Sequence, residues 1–181
     1  PTRRSSDLFT HYPNEVVFAS SMPDEEVEFR VLSSIAAGSM ANFPGSSDKS
    51  YMMEAVFSAA DARRTWTNNA VSMPWAAMLV SEPTRQFYGR SNAVNLYMSN
   101  CFGYFSALME AHLPVDIITQ TDLREGLASR YKVLILPNTA CMSDADVAAI
   151  RTFVNAGGGL VATGATSLYD EQGVIKSNYA L

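Results

Sequence analysis

At 181 residues, with 48% hydrophobic and 17% charged residues, the chain is long enough to bury a sizeable core. A net charge of −5 argues against a nucleic-acid surface, which needs clustered Lys and Arg. No apolar run reaches the ~18 residues of a membrane span, and the two cysteines, Cys101 and Cys141, lie in separate predicted elements without metal-type spacing.

The first eight residues, Pro1-Thr-Arg-Arg-Ser-Ser-Asp-Leu8, are what a common short-read sequencing adapter encodes, and they read as an assembly scar outside any fold. On that reading the true N-terminus is missing. A leader cannot be judged and the compartment stays open, with the cytoplasm as the default. Val16–Ala19 predicts a strand, and Asp24-Glu25-Glu26 open a helix that runs to about Ala37 through Val27, Val31, Leu32 and Ile35. The turn-rich stretch Gly38–Gly45 holds a short strand at Ser39–Asn42. A second helix covers Tyr51–Trp66, with Met52, Ala55, Val56, Ala59 and Ala60 on its apolar side. Strand, helix, strand and helix without earlier partners predict the closing units of a larger α/β structure. Asn68-Asn69 and Pro74 mark the boundary.

From Trp75 the pattern is regular. Trp75–Val80 is a buried strand, Ser81–Ser91 a loop, and Asn92–His112 a helix with Val94, Tyr97, Cys101, Tyr104, Phe105, Leu108 and His112 at i, i+3, i+4 spacing. Leu113-Pro114 breaks it. Val115–Thr119 is the next strand, Asp122–Arg130 a short helix or turn, and Lys132–Leu136 a strand. Ser143 caps a helix whose first turn carries Asp144 and Asp146 and whose stripe is Val147, Ile150 and Val154. Gly157-Gly158-Gly159 ends it, and Leu160–Thr163 is the last strand. Four strands with crossover helices predict an α/β fold with a flavodoxin-like parallel sheet, local strand order 2-1-3-4, and helices on both faces.

Chemistry-bearing residues are sparse. The glycines 157–159 end a helix, whereas a phosphate cradle opens one. Cys141 follows a strand but lacks the small flanking residues of a nucleophile elbow. His112 falls on a helix apolar face and is expected to be partly buried and satisfied. Asp24, Glu25, Glu26 and Glu28 read as a solvated first turn, and no carboxylate pair for glycoside hydrolysis can be assigned. The stretch 81–90 is the most unusual. Glu82, Arg85, Phe87 and Tyr88 gather at the C-terminal end of a strand, where open α/β sheets collect ligands, and Asn138 begins a neighbouring loop. A structural Glu82–Arg85 ion pair, with the two aromatics packed on a neighbouring domain, is an equally good reading.

Met78–Gly89, Leu113–Ile118, Tyr131–Asn138 and Gly157–Gly164 together resemble the β-galactosidase trimerisation domain. That module is class I glutamine-amidotransferase-like and follows the catalytic (β/α)8 barrel in family-42-type and related glycoside hydrolases, some fucosidase-like. Residues 9–70 resemble the end of that TIM barrel. The resemblance implies a retaining hydrolase whose two catalytic glutamates lie on earlier strands, so no catalytic residue is carried over and the fragment is expected to be inactive alone. It also implies that the module has lost its own nucleophile, and that a further strand and a C-terminal β domain follow residue 181. The expected partners are a carbohydrate substrate of the intact protein and further copies of the chain in a trimer-type assembly. No cofactor, metal, nucleic acid or membrane is expected. Two rival readings are a non-enzymatic binding or scaffold module and, less favoured, an active class I amidotransferase or peptidase.

Overall fold

The computed structural model describes residues 15–17, 23–36, 40–42, 50–67, 73 and 75–181. The first eight residues therefore lie outside the described part. The chain divides into two compact units, Pro1–Ser72 and Met73–Leu181.

In the first unit, strand β1 (Glu15–Val17) pairs in parallel with β2 (Met40–Asn42), and helix α1 (Asp24–Ala36) connects them. Three carboxylates in the first turn of α1 favour its positive end. Tyr51 Oη donates to Asp24 Oδ2 at 2.6 Å. Val27 and Val31 bury against Val56 of α2 (Met53–Asp61), with Ile35 and Met52 beside them. The helix predicted over Tyr51–Trp66 is broken. A 3-10 turn (Ser50–Met52) precedes α2, and a bend at residues 62–63 separates it from α3 (Arg64–Thr67). Only Val56 of α2 is buried, so packing does not hold a longer helix straight.

The second unit is one parallel sheet in the order β4 (Val115–Ile118), β3 (Ala76–Leu79), β5 (Val133–Leu136), β6 (Gly159–Ala162), which is the predicted 2-1-3-4. On one face Ala77, Leu79, Ile118, Leu134 and Leu136 meet Val147, Ile150 and Phe153 of α6 (Asp144–Asn155). On the other, Ala76, Met78, Val115 and Ile135 meet Tyr97 and Cys101, which begins the buried side of α4 (Ser99–Glu110). Such two-sided cover explains the unbroken apolar runs of the strands. The cover stops short of β6, all of whose residues are exposed.

Several local expectations change. The predicted loop 81–91 is helical from residue 82, through a π-type turn at Thr84–Gly89 and a 3-10 turn at Arg90–Asn92, and the helix expected from Asn92 opens with a second π-type turn at Val94–Met98. It feeds directly into α4. In α6 the third buried contact is Phe153, and Val154 points outward. His112 is exposed and lies past the end of α4 with φ +54°. Its N–H donates to Met109 O and that of Leu113 to Leu108 O, a paired closure that turns the chain before Pro114. A histidine in that left-handed position cannot belong to the apolar stripe.

Candidate functional site at the C-terminal edge of the sheet

Three of the four strands lead, at the C-terminal edge of the sheet, into residues whose polar groups meet there. Ser81 follows β3, Gln120 follows β4, and Cys141 lies beyond β5; Thr84 comes from the first π-type turn. All four are buried.

Their hydrogen bonds form a closed circuit with a consistent direction. The Cys141 N–H donates to Thr84 Oγ1 at 3.0 Å, and the Thr84 hydroxyl donates to Ser81 Oγ at 2.8 Å. The Ser81 hydroxyl donates to Gln120 Oε1 at 3.2 Å, and Gln120 Nε2 donates back to Cys141 O at 3.2 Å. Gln120 Nε2 also reaches Asp146 Oδ2 at 3.0 Å, while Arg124 donates to Asp146 Oδ1 at 2.7 Å. The Tyr97 hydroxyl accepts the Ser81 N–H at 2.6 Å from the opposite face. Bonds aligned this way polarise one another and specify one arrangement.

Two capping boxes hold the circuit in place. Thr119 and Asp122 cap α5 (Gln120–Arg124), which presents Gln120, and Ser143 and Asp146 cap α6. Beyond β6 the chain runs on in parallel with the segment that follows β5. The Ser167 N–H donates to Thr139 O, Tyr169 N–H to Ala140 O, and Met142 N–H to Tyr169 O. Cys141 is therefore enclosed. Burial pushes its thiol above the ordinary range, and the charge of Asp170 adds to the shift. The Cys101 thiol and the Tyr97 phenol are also pushed up by burial.

Asn138 is buried and has φ +49°. Its Nδ2 donates to Leu96 O at 2.7 Å and its Oδ1 accepts the Ala165 N–H at 2.8 Å, so its amide joins helix, strand end and turn. Gly164 packs so closely that a Cβ there would lie 2.3 Å from Asn138 Oδ1. Thr139 Oγ1 is the one buried side-chain polar atom without a partner among the described residues.

Outside the circuit, Glu82 and Arg85 form a two-point ion pair, with Nε to Oε2 at 2.8 Å and a second contact at 2.5 Å. Gln86 Nε2 adds 2.7 Å to the same carboxylate. The Arg85 guanidinium holds the Glu82 carboxyl below its ordinary value, although both side chains are half exposed. Phe87 is exposed with its Cβ against Gly173, and the Tyr88 ring tilts on Tyr169 at 5.3 Å. The structure thus brings Glu82 and Arg85 into contact with each other, sets Phe87 and Tyr88 against the 169–173 segment, and buries Asn138 between Leu96 and Ala165.

The circuit itself was missed by sequence reading. Ser81, Thr84, Gln120 and Cys141 come from four separate places in the chain, and no spacing links them. The readable signals were the two capping boxes that position Gln120 and Asp146. Among the described residues, no three His, Cys, Asp or Glu side chains gather as metal ligands, and no helix is long and apolar enough to cross a membrane.

The family model described as "Beta-galactosidase trimerisation domain" matches residues 61–180, roughly two thirds of the chain. Among solved structures, the fold is shared with Gan42B, a GH42 beta-galactosidase from G. stearothermophilus, at a TM-score of 0.64 and 21% identity over 83% of this chain and 26% of that one. A beta-galactosidase from Rahnella sp. R3 matches at 0.71 and 19% identity, over 87% and 26%. One from Bacillus circulans sp. alkalophilus matches at 0.65 and 17%, over 98% and 32%. At these identities the likeness speaks for the fold, and the chain spans about a quarter to a third of the length of each relative. A search of curated proteins finds no match. With the family match covering the whole parallel sheet, the chain belongs to the beta-galactosidase trimerisation domain family.

Proposed function

We propose that this chain is the assembly and rim-forming part of a glycoside hydrolase of the galactosidase type, and that it carries no chemistry of its own. The observation that supports this most is the filled edge of the sheet. Where an open α/β sheet would receive a ligand, Ser81, Thr84, Gln120 and Cys141 satisfy one another and leave Cys141 buried and protonated. A nucleophile needs an accessible, deprotonated sulfur, whereas this one is fully buried and its thiol is pushed up by that burial.

In this reading residues 1–8 are an assembly scar, residues 9–70 are the last units of a (β/α)8 barrel, and residues 75–181 are the amidotransferase-like domain. The parallel β1–α1–β2 unit has the form such a barrel end requires. The two glutamates of retaining hydrolysis belong to earlier barrel strands. The substrate of the whole protein is a carbohydrate, and the protein assembles with further copies of itself as a trimer. Glu82, Arg85, Phe87 and Tyr88 form the outer rim and dock against the barrel mouth, while Asn138 holds the rim's supporting turn.

The test is to recover the upstream coding sequence and express the full-length protein beside this chain. Galactoside hydrolysis is expected from the full-length protein only. In it, Arg85→Ala should raise KM or weaken assembly more than it lowers kcat. Hydrolysis by this chain alone, or an upstream region without two glutamates at strand ends, would refute the reading.

A further inference from the structure

Arg90 stands where a glycine is expected. Its φ of +49° and ψ of −133° are those of the first central position of a type II′ turn, which a Cβ resists and glycine fills freely. Three other non-glycine residues have positive φ among the described residues, and each has a local reason. Asn138 Oδ1 accepts the Ala165 N–H, Ser167 Oγ accepts those of Ala180 and Leu181, and His112 closes the end of α4. Arg90 has no comparable return. Its side chain is exposed, and its one hydrogen bond among the described residues runs from Nε to Phe87 O at 3.0 Å. The turns on either side impose the backbone: the Arg90 N–H donates to Arg85 O, and the Ala93 N–H to Arg90 O. Gly89 does not relieve the strain. It has ordinary helical angles and is needed where it is, because a Cβ there would lie 2.7 Å from Ala93 Cβ.

A second, independent observation is the charge. Glu82 neutralises Arg85, whereas no carboxylate pairs with Arg90 among the described residues. The Nε bond anchors the guanidinium beside Phe87 and leaves both Nη groups, a planar fork that fits one carboxylate. Strain that the fold does not need marks a residue kept for its side chain. An exposed ion pair to another protein surface would contribute less than such strain costs, so docking does not account for it. Recognition of a substrate does, because its benefit falls on turnover and not on stability.

We propose that Arg90 is a specificity residue that binds the carboxylate of an acidic sugar, in substrates where a uronic acid lies beyond the bond that is cleaved. The sugar that projects outward from a barrel mouth is the one that reaches its rim. Phe87, 42% exposed, offers apolar area beside the guanidinium. The proposal rests on the reading of this stretch as the rim of a galactosidase-type enzyme, and it names the substrate class that the rim selects.

The test uses the full-length protein with two substrates, lactose and the galactosyl disaccharide whose second sugar is glucuronic acid. The wild type should favour the acidic one in kcat/KM, and added salt should weaken that preference. Arg90→Gln keeps the strained backbone and loses the charge. The acidic-to-neutral ratio of kcat/KM should fall about 20-fold, mainly through KM, at the wild-type melting temperature. Arg90→Gly should lower the ratio equally and raise the melting temperature by about 2–4 °C, because the strain is relieved. Arg90→Lys should keep part of the preference. An Arg90→Gly protein that melts below the wild type would overturn the proposal, since the arginine would then serve the fold. So would an unchanged ratio in Arg90→Gln, and if sedimentation showed weaker assembly in that variant, the fork would belong to a protein carboxylate. A full-length wild type that does not hydrolyse lactose would refute the galactosidase reading itself, and this proposal with it.

Discussion

Replacing Thr84 by valine tests whether the circuit at the sheet edge holds the fold together. Valine has nearly the same shape as threonine, so no cavity opens; only the hydroxyl is lost. That hydroxyl accepts the Cys141 N–H at 3.0 Å and donates to Ser81 Oγ at 2.8 Å, and Thr84 is fully buried. Ser81 Oγ keeps the Thr84 N–H at 3.1 Å and its own bond to Gln120, so it is not orphaned. The Cys141 amide has no such reserve, and an unsatisfied buried donor costs about 1–3 kcal/mol. Adding the lost bond to Ser81 gives a total of about 2–4 kcal/mol, or roughly 5–15 °C in melting temperature for a chain of this size. Thr84→Ser keeps the hydroxyl, loses one methyl, and should cost about 1 kcal/mol. Urea or thermal unfolding of the chain followed by circular dichroism measures both. A Thr84→Val variant within about 0.5 kcal/mol of the parent, or a Thr84→Ser variant equally damaged, would refute the argument.

Gly164→Ala should destabilise the chain by more than the ~1 kcal/mol of a left-handed alanine, because φ is +61° and the new Cβ lands 2.3 Å from Asn138 Oδ1; urea unfolding reads it directly. Asp146→Ala removes the acceptor of Arg124, Gln120 and the Ser143 N–H together and should cost about 2–4 kcal/mol, mostly from the lost buried hydrogen bonds since Arg124 stays half exposed, whereas Asp146→Asn should recover part of that in the same titration. Iodoacetamide at pH 8 should label Cys101 and Cys141 far more slowly in the folded chain than in urea, since both thiols are buried and raised. The same shifts, with those of Tyr97 and Tyr131, set the alkaline limit. Groups whose folded pKa is raised stabilise fully below their unfolded values and lose that contribution above them. Melting temperature should therefore fall as pH rises past about 9, the ordinary thiol value, and constant melting up to pH 11 would contradict it.

The strand runs of residues 75–163, their order and their parallel sense were legible in the sequence. A strand buried on both faces must be continuously apolar, and right-handed crossovers leave few topologies open. The capping serine at Ser143 and the glycine stop after Asn155 were legible because helix ends are satisfied by neighbours a few residues away. The helical turns over residues 82–91 were not, because a π-type turn shifts the side-chain period and blurs the amphipathic pattern. Val154 and His112 were misplaced for a related reason: at a helix end, one residue of rotation decides which side chain meets the core. The helical backbone at residues 82–86 sets Glu82 and Arg85 at i, i+3, where they pair, a spacing the sequence offered only once that stretch was known to be helical. Only the folded sheet could bring Ser81, Thr84, Gln120 and Cys141 into one circuit. Hydrogen bonds between residues up to 57 positions apart leave no periodicity in the chain, and each partner alone reads as an ordinary polar residue.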